Sequence, residues 1–277
     1  MLDMLKSELL SCGIELVGAL PLSKCKLLRP YKLKNAGFDT LEGLSVIVMA
    51  IPYYTEQKAR NVSMYAVSRD YHLFAKELFR GVLPRLAERF PQYRFSGYAD
   101  NSPISEVYAA ALSGIGMIGD NMMLITEKYS SYVFLGEIIT DLPIASTEVD
   151  GIRTCEHCGR CQAACPMSEI GECLSALTQK KGTLSDSEAQ YIQKYGSAWG
   201  CDICQEVCPH TARAIRNKTI YTNIDFFKAD TLPYLTSERL LDMTDAQFAE
   251  RAFSWRGRNT IMRNLKILES NGKGGQK

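Results

Sequence analysis

The sequence predicts a mixed α/β (α+β) domain, followed by a small cysteine-rich module and a short helical segment. Three observations predict this order. Apolar strand patterns alternate with amphipathic helix patterns over residues 1–150, cysteines recur over 151–212, and helix patterns return over 213–268. With 277 residues, 46% of them hydrophobic, the chain can bury a substantial core. The closing residues, 269–277, are rich in glycine and lysine and are expected to form a disordered tail.

The elements of the first region follow from apolar spacing and end signals. Leu2–Cys12 has the spacing of an amphipathic helix, and Gly13 is a suitable stop. A longer helix pattern contains Pro84, which predicts a kink or a break. Continuous apolar runs predict buried strands. The expected strands are 45–51, 93–98 and 132–139, and the expected further helices are 72–90 and 104–113.

Helices are also expected between and after the cysteines. Two spacer helices are expected within the cysteine module, over 169–179 and 185–195. In the last region, Thr236 and Thr244 stand just ahead of an acidic residue and an apolar run, as helix N-caps do.

Eight of the ten cysteines fall into a pattern that predicts two cubane (4Fe–4S) clusters. The first run has the spacing Cys-x-x-Cys-x-x-Cys-x-x-x-Cys-Pro, and a shorter second run also ends in Cys-Pro. The fourth cysteine of such a run ligates the other cluster in two-cluster ferredoxins, so the ligands should cross. Where the second run would place its remaining ligand the chain has Val207, which leaves Cys173 to fill that place. We expect one cluster on Cys155, Cys158, Cys161 and Cys208, and the other on Cys165, Cys173, Cys201 and Cys204.

Structural zinc and disulfides are the alternatives to iron–sulfur clusters. Zinc sites usually have two Cys-x-x-Cys pairs or histidine partners, and a third cysteine at i+6 does not suit them. No secretory signal opens the chain, and thiols in this pattern are typical of a reducing compartment, so a cytoplasmic location is expected. Cys12 and Cys25 lie outside the pattern, and Cys12 is expected to be a small buried apolar side chain.

Charge and hydropathy limit the possible partners. No apolar run has the length needed to span a bilayer, so no membrane insertion is expected. The net charge of +1 makes no general case for nucleic acid. From Thr211 onward, however, 12 Lys and Arg stand against 7 Asp and Glu. This excess is either a solvated helical surface or a patch that faces a polyanion.

Three motifs in the first region are candidates for a reaction site, because an electron carrier alone would not need so many preceding residues. Asp100 follows a predicted strand, where functional groups often lie, although aspartate there can also cap a helix. Residues 114–119 have the form Gly-x-Gly-x-x-Gly but follow a helix, which argues against a dinucleotide site. Such a loop can instead let the backbone approach a large planar cofactor. Residues 68–72 group polar side chains, or simply begin a helix.

In combination, these motifs resemble the epoxyqueuosine reductase family, from about residue 45 to 268. Besides both cysteine runs with Cys173 between them, the similar segments are Tyr65-Ala-x-Ser-Arg-Asp-Tyr-His72, Asp100-Asn-Ser-Pro-x-x-Glu106, Gly114-Ile-Gly-Met-Ile-Gly119, Phe134-Leu-Gly-Glu-Ile-Ile-Thr-Asp141, Gly200-Cys-Asp-Ile-Cys-Gln-Glu-Val-Cys-Pro209 and Trp255-Arg-Gly-Arg-x-x-x-x-Arg-Asn-Leu265.

The resemblance implies a monomeric oxidoreductase of queuosine biosynthesis and tRNA processing. Such an enzyme reduces the epoxide of epoxyqueuosine in the anticodon loop of tRNA to queuosine. An external flavodoxin- or ferredoxin-type donor would supply electrons, and two 4Fe–4S clusters would pass them to a base-off cobalamin that has no protein ligand on its cobalt. The usual cobalt-binding signature, Asp-x-His-x-x-Gly, is absent from this chain, in agreement with that expectation.

The resemblance also implies roles for particular residues. Asp100 matches the family's proton donor, and in an apolar pocket its carboxyl could keep its proton near neutral pH. The residues expected to bind substrate or cofactor are Arg69, Asp70, Tyr71, His72, Asn101, Ser102, Gly114, Gly116, Met117, Ile118 and Gly119. Candidates for tRNA phosphate contacts are Arg256, Arg258 and Arg263, because guanidinium groups suit phosphate geometry.

Two departures from the family keep other functions open. After Gly119 the family usually has a Lys-His-Thr-type stretch, whereas this chain has Asp120-Asn-Met122. Many members also carry a helical-repeat domain after the cysteines, and we expect this chain to be a short form without it. The alternatives are a related iron–sulfur and corrinoid reductase of a small molecule, or a ferredoxin-like electron carrier.

Overall fold

A computed structural model of the chain describes residues 2–57 and 59–270. These residues form two compact units, and each unit is built from several chain segments. The first unit contains 2–53, 72–158 and 209–224, and the second contains the remaining described residues. Segments of the two units therefore alternate along the chain. From the sequence, we expected regions that follow one another in chain order. Of the expected tail, Glu269 ends a helix, and positions from 271 onward lie outside the described residues.

All six strands of the described residues lie in the first unit. They are β1 (Leu16–Pro21), β2 (Ser45–Pro52), β3 (Phe95–Tyr98), β4 (Met117–Ile118), β5 (Leu124–Ile125) and β6 (Val133–Thr140). Four of them form an antiparallel sheet in the order β1-β2-β6-β3, and β4 pairs with β5 in a small hairpin.

Thirteen α-helices occur in the described part of the chain. They are α1 (Leu2–Ser11), α2 (Tyr31–Asn35), α3 (Tyr71–Arg89), α4 (Glu106–Leu112), α5 (Arg160–Ala164), α6 (Leu174–Gln179), α7 (Asp186–Tyr195), α8 (Ile203–Glu206), α9 (Pro209–Arg216), α10 (Asp225–Lys228), α11 (Ser237–Asp242), α12 (Asp245–Ala249) and α13 (Arg258–Glu269). None of them combines the length and apolarity that crossing a bilayer requires.

The core of the first unit lies between the sheet and α4. Every residue of β2 is buried, as its continuous apolar run predicts. The alanines of α4, Ala109 to Ala111, have no exposed surface and pack in the same cluster as Val46 and Val48 of β2. At Gly18 of β1, an added Cβ would lie 2.5 Å from Ser113 Oγ, so only glycine fits between this strand and the end of α4.

The expected elements of this unit are found with small shifts at their ends, and α3 differs in one respect. Of the expected kink or break at Pro84, the break does not occur, because α3 runs through this residue as one helix. The strand β1 was not expected from the sequence, because it is short and Gly18 interrupts its apolar pattern.

The second unit is helical and has a smaller core. Met167, Leu174, Leu177 and Ile192 form a buried cluster between the cysteine segments and α7. The predicted N-caps of α11 and α12 are confirmed, since the side chains of Thr236 and Thr244 accept hydrogen bonds from main-chain N–H groups three residues later.

A buried amide on α13 joins three segments of this unit. Asn264 has no exposed surface, and its Nδ2 donates to the carbonyls of Thr178 at 2.7 Å and Ala198 at 2.8 Å. Both carbonyls belong to fully buried residues, and Asn264 therefore fixes α13 against the segments that precede the second cysteine run.

We expect Asn264→Ala to destabilise the folded protein, because each orphaned carbonyl costs roughly 1–3 kcal/mol. Chemical unfolding of the anaerobic holoprotein, followed by circular dichroism, measures the change. Asn259→Ala, at an exposed position of the same helix, is the matched control and should change stability little. An unchanged unfolding midpoint for Asn264→Ala would contradict this role.

Candidate active site and cysteine cluster

All ten cysteines are free thiols, so the disulfide alternative finds no support in the structure. Of the eight patterned cysteines, Cys155 and Cys158 belong to the first unit and the other six belong to the second. Cys158 and Cys173 are exposed, whereas Cys208 is buried.

Two half-buried thiols of the second unit, Cys201 and Cys204, lie close enough to other cysteines for those cysteines to affect their ionisation. Burial, reinforced by the charges of Asp202, Cys173 and Cys165, raises the pKa of Cys201 to about 11. Burial, followed by the charges of Cys201 and Cys173, raises the pKa of Cys204 to about 12. Thiols that are half buried and mutually repelling need a cation to hold them as thiolates, which an iron–sulfur cluster supplies. Cys165, Cys173, Cys201 and Cys204 are the ligands expected for the second cluster, and the charge of Cys161, expected in the first cluster, also raises the pKa of Cys204.

A buried carboxylate holds this cysteine segment in place. The side chain of Asp202 is 1% exposed, and its Oδ2 accepts hydrogen bonds from the Met64 N–H and from Arg60 Nη1, each at 2.6 Å. Its Oδ1 accepts from Ser63 Oγ at 2.5 Å. The guanidinium of Arg60 also pairs with Glu206. Arg60, Cys201 and Asp202 all line a polar cavity of about 330 Å³.

Sequence reasoning missed this network. Arg60 and Asp202 are 142 residues apart and share no motif, so no spacing could have linked them. The one available signal is the acidic residue that directly follows Cys201.

A further group of ligand-type side chains lies in the first unit. Ligand atoms of Asp120, Cys155 and His157 all lie within 4.8 Å of one another. His157 Nδ1 is 2.6 Å from Asp120 Oδ1, and its Nε2 is 3.0 Å from Thr154 Oγ1. The acidic residue that departs from the family pattern after Gly119 therefore pairs with a histidine of the first cysteine run.

Asp100 lies just after β3 in a left-handed backbone conformation, with φ of 63°. Its side chain is 65% exposed, and Oδ2 lies 3.6 Å from Nε2 of His72, the second residue of α3. The hydrogen bond from His72, followed by the positive charges of His72, Arg29 and Lys32, lowers the pKa of Asp100. The expectation of a carboxyl that keeps its proton in an apolar pocket is therefore not met, because cations surround this carboxylate and water reaches it.

Basic residues near α2 hold the loop after Asp100. Lys32 Nζ donates to the carbonyl of Asn101, and Arg29 Nη1 donates to the carbonyl of Ser102 at 3.0 Å. Asn101 is exposed, whereas Ser102 is fully buried. The two polar residues after Asp100 therefore differ in role, since only Asn101 presents its side chain to solvent.

The expected substrate-side segment is divided between the units. His72 lies with Asp100 in the first unit, whereas Arg69 and Asp70 belong to the second, as does Tyr71, the first residue of α3. The Asp70 N–H donates to the Glu250 carbonyl at 2.7 Å. The Arg69 guanidinium lies 4.4 Å from the ring centre of Phe226 and 3.7 Å from the Glu250 carboxylate.

Internal packing explains the glycine loop that forms the β4–β5 hairpin. A Cβ at Gly116 would lie 2.8 Å from the Ile125 carbonyl oxygen, and one at Gly119 would lie 2.7 Å from Ile125 Cδ1. Gly114 has a φ of +85°. Met117 and Ile118 are the two residues of β4, between these glycines. The loop from Gly114 to Met117 also lines a cavity of about 740 Å³.

Two of the three candidate arginines are engaged in internal contacts. Arg258 donates to one carbonyl of α11 and to the carbonyls of the two residues that follow it. Arg263 donates to two carbonyls just after α6, each at 2.6 Å. Arg256 instead stacks 3.9 Å from the ring centre of Trp255, a side chain that is 58% exposed. Of this last pair, Trp255 is exposed, whereas Arg256 is half-buried and its Nε is buried.

Each of the three histidines in the chain has a charged partner. His72 pairs with Asp100 and His157 with Asp120. His210, which is 4% exposed, lies 2.6 Å from Glu156 and 2.7 Å from Arg213.

The chain is similar to proteins of one family. Residues 41–101 match the family described as "Epoxyqueuosine reductase QueG, DUF1730". An epoxyqueuosine reductase from Gloeobacter violaceus is 34% identical over 218 residues, which cover 74% of this chain and 68% of that protein. One from Listeria monocytogenes is 32% identical, over 82% of this chain and 64% of that protein. The chain thus spans about two thirds of the length of these relatives.

Solved structures of the same family have the same fold. The structure of epoxyqueuosine reductase from Streptococcus thermophilus matches with a TM-score of 0.73 and 25% identity, covering 98% of this chain and 80% of that one. A crystal structure of an epoxyqueuosine reductase with an epoxyqueuosine-modified tRNA-Tyr stem loop matches with a TM-score of 0.73 and 23% identity, over 99% of this chain and 83% of that one.

The contact between His72 and Asp100 predicts a measurable change in ionisation. In His72→Ala, the pKa of Asp100 should rise toward its ordinary value, because the largest cause of its lowering is removed. Carboxyl carbon NMR of aspartate-labelled holoprotein measures the titration, with Asp100→Asn to identify the resonance. Lys76→Ala, an exposed change on the same helix, should leave it unaltered. A titration of Asp100 identical in the His72 variant and in wild type would refute the pairing.

Proposed function

We propose, since the chain belongs to the epoxyqueuosine reductase family, that it reduces the epoxide of epoxyqueuosine in tRNA to the alkene of queuosine. The observation that carries this proposal is the 34% identity to a named epoxyqueuosine reductase over 218 residues. The modified stem loop bound to a protein of the same fold supports tRNA as the substrate.

The reaction sets definite requirements for the protein. Both carbon–oxygen bonds of the epoxide break, a carbon–carbon double bond forms, and the oxygen leaves as water. This consumes two electrons and two protons. The protein must therefore accept two electrons, and it must deliver two protons to the leaving oxygen.

The cysteines are suited to the electron supply. Cys165, Cys173, Cys201 and Cys204 would hold one 4Fe–4S cluster, and the effect of the neighbouring thiols on the pKa of Cys201 and of Cys204 supports this set. The remaining patterned cysteines, Cys155, Cys158, Cys161 and Cys208, would hold the other. The bound clusters and a base-off cobalamin would supply strongly reducing one-electron chemistry, with a flavodoxin- or ferredoxin-type protein as the external donor.

The proton supply is assigned to the loop after β3. Asp100 would hand a proton to the leaving oxygen, and His72, at 3.6 Å, would stabilise the carboxylate that remains. Because the pKa of Asp100 is lowered, the proton has to reach this carboxyl during turnover. Because the Asp100 side chain is exposed and lies beside His72, water or the His72 imidazole can supply this proton.

The tRNA contacts are assigned to surfaces with free donors. Arg256, stacked on the exposed Trp255, could contact a phosphate or stack on a base. Arg258 and Arg263 already donate hydrogen bonds to main-chain carbonyls, so their role would be to stabilise the protein beneath this surface.

The test is an assay with the natural modification. The anaerobic protein is reconstituted with iron, sulfide and cobalamin, and is then incubated with a strong reductant and tRNA that carries epoxyqueuosine. Mass spectrometry of the digested nucleosides should show the loss of one oxygen from the modified base. Retained corrinoid and clusters without this loss would reject tRNA-bound epoxyqueuosine as the substrate.

Asp100→Asn should lower turnover by about a hundredfold or more, because an amide cannot donate the proton. Iron and corrinoid contents should stay at the wild-type level. Asp39→Asn, whose carboxylate is 93% exposed and lies 3.9 Å from Arg94, is the matched control and should retain activity. Full activity of the Asp100 variant would remove the proton-donor role.

Cys173→Ala should bind about half the iron of the wild type, since the second cluster would lack a ligand. Iron analysis and electron paramagnetic resonance of the reduced protein measure the loss. Cys12→Ala, outside the pattern, should bind the full amount. If Cys173→Ala also binds the full amount, the fourth ligand is a different residue.

A further inference from the structure

Two glutamates without an assigned role lie behind the Asp100 loop. Glu106 is the first residue of α4, and Glu137 lies in β6 with no exposed surface. Because side chains alternate along a strand, Glu137 points to the same side as Leu135 and Ile139, which belong to the core beneath α4. A carboxylate in such a place is costly unless its oxygens are paired.

The hydrogen bonds of Glu137 account for only one of its oxygens. Its Oε1 accepts from the hydroxyl of the buried Ser102. Its Oε2 is buried, and the ordinary donor groups of the described residues leave it without a hydrogen bond. The carboxyl of Glu106 lies next to that of Glu137, and the ionisation of each carboxyl depends on the other. Ionised carboxylates only accept, so a hydrogen bond between these two requires a proton on one of them.

The same pair is attached to the reaction loop. Glu106 Oε1 accepts the main-chain N–H of Asp100 at 3.0 Å. Ser102, which donates to Glu137, also accepts the Ile104 N–H at 3.1 Å. Glu106 therefore holds the loop through the main-chain N–H of Asp100, and Glu137 holds it through the side-chain hydroxyl of Ser102. The left-handed φ of Asp100, 63°, needs such support, because this conformation is unfavourable for residues with a side chain.

We infer that Glu106 and Glu137 share one proton and, in that state, act as positioning residues that hold Asp100 in place for proton transfer. Loss of the shared proton would leave two negative charges side by side, one of them on the buried Glu137, and release the loop. The catalytic consequence rests on the proposed function, whereas the shared proton itself does not.

The ionisation of the pair agrees with this geometry. Burial, then the charge of Glu137 and the hydrogen bond to it, raises the pKa of Glu106 to about 9. Burial raises the pKa of Glu137 to about 7, against the lowering effect of the hydrogen bonds from Ser102 and Glu106. Between these values the pair holds one proton, and above about 9 it holds none.

Within residues 2–57 and 59–270, no cationic side chain donates a hydrogen bond to Glu106 or Glu137 or forms an ion pair with either. The titratable groups that sense Glu137 are Cys25, whose pKa is raised to about 12, and Tyr98, on β3 opposite Glu137. Asp100 adds a negative charge beside Glu106. The nearby cations, Arg29 and Lys32, donate to loop carbonyls instead.

Glu106→Gln separates this inference from a merely structural role. The amide oxygen can still accept the Asp100 N–H, and the amide N–H can donate permanently to Glu137. Wild-type turnover should fall roughly tenfold per pH unit above about 9, whereas the variant, scaled to its own rate at pH 8, should lack this fall. Glu106→Leu, which can neither accept nor donate, should be slow at every pH. Glu77→Gln, an exposed change on α3, should keep the wild-type profile. The same alkaline fall in Glu106→Gln as in wild type would overturn the inference.

A second readout does not depend on activity. Infrared spectra of the holoprotein between about pH 7.5 and 8.5 should contain the carbonyl band of a protonated carboxyl, and Glu106→Gln should lack it. Absence of this difference would overturn the shared proton. A protein that shows the band but leaves epoxyqueuosine unchanged would reject the proposed function and still support the shared proton.

Discussion

Asp202 is almost fully withdrawn from water and accepts hydrogen bonds from Ser63, Met64 and Arg60 in return. The arrangement of the second unit depends on this interaction, because a buried carboxylate without donors would cost several kcal/mol. The donors lie in the segment 59–64. This segment belongs to the second unit together with the cysteine segment, whereas residues 2–53 and 72–158 belong to the first unit. The carboxylate thereby fixes the backbone beside Cys201, whose thiol must keep its place whether or not a cluster is bound.

The first unit meets the same constraint in a different way. Glu137 lies in an apolar core with a single hydroxyl donor, and its other partner is a second carboxyl. A carboxylate satisfied by fixed donors, like Asp202, resists changes of pH, whereas one satisfied by a shared proton responds to them. The carboxylate with fixed donors lies beside thiols that we propose as cluster ligands, and the titratable pair lies behind the loop that we propose for proton transfer. An enzyme that delivers electrons and protons to one oxygen can use both.

The sequence predicts the parts of this arrangement that depend on local patterns. The apolar runs of β2 and β6, the N-caps Thr236 and Thr244, and the cysteine spacing all act over a few residues. It does not predict contacts between distant segments, such as Arg60 with Asp202. The ionisation of Asp100 was expected in the wrong direction for this reason, since its cations lie some 28 to 71 positions earlier in the chain, at His72, Lys32 and Arg29. A single glutamate within the apolar run of β6 was the one visible sign of the carboxyl pair.

Single-turnover electron counting tests most directly whether the thiol-held centres reduce the epoxide. The reconstituted protein is fully reduced, freed of excess reductant and mixed with a tRNA stem loop that carries epoxyqueuosine. Electron paramagnetic resonance then counts the electrons lost, while nucleoside mass spectrometry counts the product. We expect two electrons lost for each queuosine formed, as the loss of one oxygen as water requires. Loss of the reduced signals without product, or product without their loss, would contradict electron delivery from these cysteine-bound clusters to tRNA.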